Sequence, residues 1–400
     1  MMHSAPRKLR LTFFSFGILE QGGGFENYLL STARGLAERY RDVAVSVNTM
    51  DPATVEKLQR LLSIYFMRRQ DPRGIYRETY ESVCARLGPE VSYHRSTTLR
   101  ELTARLKDSD VIYAKNEVLE LAVLQHIGIK QLPPVIVGVH TPIYYPHASS
   151  LSAHLHNVLY SGPVYRRLLQ GTRSVEVNTA DDLRLVQSRL RGVRAAVVRQ
   201  AIALPELDMP PAEPGILRLL FVGRLTEQKG VDLLLAVARA LAREHPGAYE
   251  LRIAGSGDPA IMQQVQQLAG RNDAVAYLGH VPNEHIAEHY QWADATLIPS
   301  RFETLNKVAI ETAAAGKVAV AADIPGPRAI IQHGVTGFLV PRHEAAFMAC
   351  LARLITLKRD SPAALQTIGR AAYQRVREQF DPAAALAELY NDITATAGAV

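Results

Sequence analysis

The chain has 400 residues, 48% hydrophobic and 21% charged, with a formal net charge of +6 at pH 7. That length suits two domains with separate cores, and that balance excludes a disordered or low-complexity chain. No run approaches the roughly 20 apolar residues of a spanning helix, and the two cysteines, Cys84 and Cys350, match no disulfide framework or metal-ligand spacing.

Arg7, Lys8 and Arg10 precede an apolar stretch at 11–19, an order shared with secretory leaders. The stretch is short, lacks a small-residue cleavage pattern and runs into Gly22, Gly23 and Gly24, so a first buried strand over 9–18 accounts for it better. A helix follows from about Glu26 to Tyr40, with Leu29, Ala33, Leu36, Ala37 and Tyr40 on one face. The next strand is predicted at 43–47, and 54–69 reads as a helix whose stripe of Leu58, Leu61, Leu62, Tyr65 and Phe66 faces a core. Strands at 111–114 and 135–139 alternate with helical segments, and the second ends at His140-Thr141-Pro142. Strand ends are where open parallel sheets keep ligand residues. After strands at 175–178 and 195–199, the proline-rich run from Leu204 reads as a linker.

The second half repeats the alternation, with strands at 217–222, 249–254, 275–278 and 295–298 and helices from about 231, from about 259 and over 284–292. Residues 300–323, SRFETLNKVAIETAAAGKVAVAAD, then read as a loop carrying Glu303 and a short helix carrying Glu311. Thr304 is the predicted N-cap, Gly316 the left-handed residue past the helix, and 318–322 a buried strand. The implied architecture is α/β, with two doubly wound domains. We place the first at 1–205, a linker at 206–215, the second at 216–378, and a C-terminal helix at 379–400 that packs back on the first. Charge is uneven, about +7 within 1–210 and about −1 in the remainder. Arg68-Arg69, Arg166-Arg167 and the series Arg189, Arg191, Arg194 and Arg199 make a basic half suited to an anionic acceptor or membrane surface.

Glu303 and Glu311 flank a helix N-terminus whose unpaired N–H groups and positive dipole end suit a phosphate. Arg224, just past a strand end, and Lys229, at the entrance to the next helix, put two cations in one loop, a diphosphate site that needs no metal. Structural salt bridges use the same residue types. Gly255-x-Gly257-x-x-Ala260 follows a strand as a dinucleotide fingerprint does, yet Pro259 sits in the turn and no acidic residue closes the next strand. Asp108-Ser109-Asp110 reads as a surface turn rather than a metal-binding DxD. His147, His154 and His156 lack carboxylate or cysteine partners at ligand spacing and read as surface or packing residues.

Five stretches in order, GRLTEQKG, AGSGD, LGHVPNE, SRFETLNKVAIETAAAGKVAVAAD and HGVTGFLVP, resemble family 4 of the retaining glycosyltransferases across residues 215–345. The N-terminal half resembles the family more weakly, through GGGFEN at 22–27 and VHTP at 139–142. The resemblance implies the GT-B fold, two Rossmann-like domains facing across a cleft, with acceptor bound by the first domain and nucleotide-sugar donor by the second. It assigns Arg224 and Lys229 to the donor diphosphate, Glu311 to the ribose hydroxyls, Glu303 to the transferred sugar or its developing oxocarbenium charge, and Thr304, Leu305 and Asn306 to phosphate or sugar. His140 would reach the donor sugar from the first domain, and Gly23 and Gly24 would let backbone approach the ligand. The expected reaction moves a sugar from a UDP- or GDP-sugar to a saccharide or lipid-linked acceptor in cell-envelope glycan synthesis, with no metal, cofactor or nucleic acid. The expected location is cytoplasmic, with peripheral contact at the inner face of an anionic membrane. Two departures stand out: Asn306 occupies a position where the family usually has glycine, and Arg199-Gln200-Ala201-Ile202 occupies one where it often has Asn-Gly. The alternative readings are a nucleotide-sugar epimerase, a phosphorylase-like GT-B enzyme, and a non-catalytic nucleotide-sugar-binding protein.

Overall fold

A computed structural model of the chain describes residues 7–16, 19, 24–55, 79–140, 143–145, 151–202 and 204–398. Contacts divide the chain into two compact units, one formed by Met1–Ile202 with Pro382–Val400 and the other by Ala203–Asp381.

The first unit has a seven-stranded sheet: β1 (Leu9–Ser15), β2 (Val43–Met50), β3 (Val91–Ser96), β4 (Val111–Lys115), β5 (Val135–Gly138), β6 (Ser174–Val177) and β7 (Ala195–Val197). Its order is β3-β2-β1-β4-β5-β6-β7, every pairing is parallel, and the direction of winding reverses between β1 and β4. β1 is buried along most of its length because both sheet faces are covered, the condition that parallel strands require. One face packs Leu11, Phe13, Val45 and Val47 under the helix Gly24–Arg39 and the C-terminal helix Pro382–Ala397. That C-terminal helix seats Leu386, Leu389 and Ile393 in the core, and the rings of Tyr40 and Tyr390 stack 3.9 Å apart. A Cβ on Gly35 would meet Leu386 at 2.8 Å, so glycine permits the close approach of the two helices.

The second unit repeats the plan with β8 (Leu217–Val222), β9 (Tyr249–Ala254), β10 (Val275–Gly279), β11 (Ala295–Ile298), β12 (Val318–Ala322) and β13 (Phe338–Val340). The order is β10-β9-β8-β11-β12-β13, again parallel throughout, with reversal between β8 and β11. The helix Val231–Glu244 fills one layer with Leu234, Val237, Ala238 and Leu241, an i, i+3, i+4, i+7 stripe.

The expected elements differ from the observed ones at a few places. The first strand ends at Ser15 rather than running on to residue 18, and residues 17 and 18 lie outside the described set. The predicted helix 54–69 lies outside it from residue 56 onward. β3 lies outside the expected set because it is an edge strand with the polar sequence VSYHRS, in which Arg95 breaks the apolar alternation begun by Val91 and Tyr93. Among the described residues no helix is long and apolar enough to cross a membrane.

Candidate functional site

In the second unit, seven of the sequence-predicted site residues gather at the C-terminal ends of β8 and β11. These strands flank the winding reversal, where open α/β sheets hold ligands. Past β8 the chain forms a short 3-10 turn, Glu227–Lys229, and enters the helix Val231–Glu244 through Gly230 at φ +72°. A Cβ on Gly230 would lie 1.9 Å from the carbonyl oxygen of Pro299, so only glycine lets this turn approach the loop after β11. The consequence is an ion pair between distant parts of the sequence: Lys229 Nζ donates to Glu303 Oε1 at 2.6 Å. Ser300 Oγ donates to the same oxygen at 2.9 Å. The Glu303 side chain is 8% exposed and that of Lys229 19%, so the pair is largely withdrawn from water. Gly326 backs it, since a Cβ there would meet Glu303 Cβ at 2.6 Å.

Arg224 is exposed in the same loop as Lys229, and its guanidinium donates to Gln228 Oε1 at 3.2 Å. Thr304 and Leu305 lie half-buried in the turn that leads to the helix Lys307–Ala314. The N-cap of that helix is Asn306 and not Thr304: the buried Asn306 side chain accepts from the Ala309 N–H at 2.8 Å. The helix therefore starts two residues later than expected, and an amide that can cap occupies the position where glycine was expected. Gly316 follows the helix at φ +67°. Glu311 keeps an exposed edge, while its Oε2 accepts from the buried Tyr290 hydroxyl at 2.7 Å. Crowding by protein atoms pushes the Glu311 carboxyl above its ordinary pKa, against the pull of Tyr290, Lys307 and Lys229.

In the first unit, His140 sits just past β5 and is half-buried. Its backbone N–H donates to Asn116 Oδ1 at 3.1 Å, and the Tyr28 ring lies 4.5 Å from its own. Its Nδ1 is 3.4 Å from Gln200 Nε2, which also donates to Asn178 Oδ1 at 2.9 Å. The ring nitrogen Nε2 is buried. Gly24 opens the helix that follows β1, and Gly23 lies outside the described residues.

Sequence reasoning missed Tyr290, Ser300, Gly326, Asn116 and Asn178 as neighbours of these groups. Ser300 was legible only as the residue opening the motif, and nothing in its chain context marks Tyr290. The motifs set aside in the sequence have structural roles. Gly255 lets two loops meet, since a Cβ would lie 1.8 Å from the Gly223 carbonyl oxygen, and Asp258 caps the next helix through Ala260 and Ile261. Asp110 accepts from the Arg10 N–H at 2.8 Å in a turn before β4. His156 is stacked between Tyr145 and Tyr160 at 4.3 and 4.2 Å, and His147 lies outside the described residues. Among the described residues no three His, Cys, Asp or Glu side chains are grouped as metal ligands.

Two Rossmann-like units of this topology define a GT-B protein, and solved GT-B structures superpose on it. Anabaena HepE in complex with UDP matches with a TM-score of 0.70 at 18% identity, covering 97% of this chain and 100% of that one. Residues 217–357 match the family model of glycosyl transferases group 1. Among curated relatives, the glycogen synthase of Mycobacterium tuberculosis (strain H37Rv) is 36% identical over 202 residues, which is 48% of this chain and 47% of the relative. The D-inositol 3-phosphate glycosyltransferase of Nocardia farcinica is 34% identical over 154 residues, 37% of this chain and 34% of the relative. The chain thus covers half or less of these two curated relatives.

Proposed function

We propose that this protein is a retaining glycosyltransferase of family 4 that moves a sugar from a UDP- or GDP-sugar to a saccharide or lipid-linked acceptor in cell-envelope glycan synthesis. The single observation that carries the reading is the Lys229–Glu303 pair at the β8/β11 reversal, with Arg224 in the same loop as Lys229 and Glu311 one helix away. Arg224 and Lys229 have the charge and position to hold a diphosphate and to stabilise it as it leaves. When the diphosphate draws on Lys229, the Glu303 carboxylate is released toward the sugar or the cationic charge growing at its anomeric carbon. Glu311, oriented by Tyr290, accepts from the ribose hydroxyls. The bond from anomeric carbon to phosphate oxygen breaks, the bond to the acceptor oxygen forms on the same face, and the acceptor proton passes to the departing phosphate oxygen. No separate base and no metal is required in this scheme. The first unit takes the acceptor, and His140, Gly23 and Gly24 contact the donor from it. Its excess positive charge supports a cytoplasmic enzyme in peripheral contact with an anionic membrane.

The test is a thermal-shift and hydrolysis screen of UDP-, GDP- and ADP-sugars with EDTA present, comparing the wild type with Arg224→Ala. One donor should raise stability by mass action and lose that effect in the variant. Turnover of donor alone into an epimer would favour epimerase chemistry, and binding without consumption would leave a nucleotide-sugar-binding protein. No shift with any nucleotide sugar would remove the donor-site reading altogether.

A further inference from the structure

The helix Pro382–Ala397 comes from the far end of the sequence, yet it brings the Asp392 carboxyl against Glu176 of β6. Lys115, Gly138 and Glu176 are in register across β4, β5 and β6, so they share one face of the sheet. That face is covered by the helices Gly24–Arg39 and Pro382–Ala397, which bury Tyr113, Ile136, Leu389 and Ile393. Glu176 is 3% exposed, and both of its carboxylate oxygens are buried. It faces the Tyr113 hydroxyl from β4 and the Asp392 carboxyl from the C-terminal helix, with Tyr28 of the first helix nearby. Burial, and then Asp392, push the Glu176 carboxyl well above the usual carboxylate range.

Gly138 connects this acid to His140. A Cβ at Gly138 would meet Tyr113 Oη at 2.2 Å and His140 Nε2 at 2.8 Å, so the phenol and the imidazole edge fill the space a side chain would take. The Val139 N–H donates to the Glu176 carbonyl oxygen at 2.7 Å, which ties the backbone leading into His140 to the same residue. Tyr28 closes the other side against the imidazole ring.

We propose that Glu176, paired with Asp392 of the C-terminal helix, is a positioning residue for His140 that acts through the Tyr113 hydroxyl. The acid pair sets where the phenol sits, and the phenol sets where the buried edge of the imidazole rests. The C-terminal helix is then a working part of the first unit's site as well as a brace for its sheet. This inference rests on the proposed role of His140 for its bearing on turnover, but not for its geometry.

The test follows the His140 ring by NMR in the full chain labelled at histidine, its resonance assigned by loss in His140→Asn, alongside donor hydrolysis. Glu176→Ala should move the His140 resonance and lower kcat on the order of tenfold, with the donor KM changed less than about twofold. Glu176→Gln, which keeps a hydrogen-bonding group of the same shape, should restore most of both. Asp392→Ala removes the second acid from a less buried position. It should move the resonance in the same direction and by less, which keeps the inference testable if Glu176→Ala does not fold. A His140 resonance unmoved in the folded variants, with only thermal stability lowered, overturns the inference and leaves the acid pair a structural feature. A resonance that moves while His140→Asn turns over donor at the wild-type rate upholds the positioning and removes His140 from the proposed mechanism.

Discussion

Replacing Lys229 by Met tests the centre of the candidate site without any ligand. At 2.6 Å the Lys229–Glu303 pair has a Coulomb attraction of about 6 kcal/mol at an effective dielectric of about 20. Much of that is offset by the cost of taking both groups out of water. Removing one partner is different, because it strands the other charge, and breaking a buried pair this way costs about 3–5 kcal/mol. The lower end applies here, since Ser300 still donates to Glu303 and Lys229 is 19% exposed. We expect Lys229→Met to lower the stability of the second unit by about 3 kcal/mol, a fall in Tm of roughly 6–12 °C for a unit of this size. Trp292, the single tryptophan of the chain, lies in that unit, so its fluorescence during urea unfolding reports the right transition. Lys229→Met with Glu303→Gln removes both charges and should recover the loss to within about 1 kcal/mol. A cost below about 1 kcal/mol for the single variant, or a double variant as unstable as the single, would show that the pair is not a coupled buried unit.

Three further outcomes are expected. Asn306→Ala should lower stability by about 1 kcal/mol through loss of the cap, whereas Thr304→Ala should change it by less than about 0.5 kcal/mol; equal effects would return the cap to Thr304. Gly326→Ala should cost about 1–3 kcal/mol, because its Cβ must displace Glu303 from 2.6 Å, and a neutral result would mean that the carboxylate moves aside freely. Burial raises the Glu120 carboxyl from 4.5 to about 7. The folded state therefore holds a proton that the unfolded state releases, and the associated stability is complete below pH 4.5 and is lost as pH rises through 7. That loss is about 3 kcal/mol. Glu120→Gln keeps the acceptor for the Phe16 N–H and should exceed the wild type in urea unfolding at pH 8 but not near pH 4.5; an equal difference at both pH values would refute the assignment.

The strand and helix alternation was legible because its cause is local. Buried parallel strands must be apolar on both faces, as in VAVAA of β12, and a helix on a sheet must repeat its apolar residues at 3.6, as in VDLLLAVARALARE. Arg224, Lys229, Glu303 and Glu311 could be named from their spacing around strand ends and from the resemblance of their motifs. That Lys229 and Glu303 touch could not, because residues 74 apart meet only when Gly230 reaches the Pro299 carbonyl. The capping of the short helix went to Asn306 because its amide, not the Thr304 hydroxyl, reaches the Ala309 N–H once the loop is folded. Edge strand β3 was hidden by its own polarity, since one side of an edge has no neighbour to demand an apolar pattern. The surroundings of His140 were beyond the sequence for the same reason as the ion pair. Asn116, Asn178 and Gln200 lie on separate segments, and it is the parallel stacking of β4, β5, β6 and β7 that brings them to one place. Local periodicity thus determined which segments are strands and helices, while contacts between residues distant in the chain, set by sheet order and by glycines at points of close approach, decided what the charged groups do.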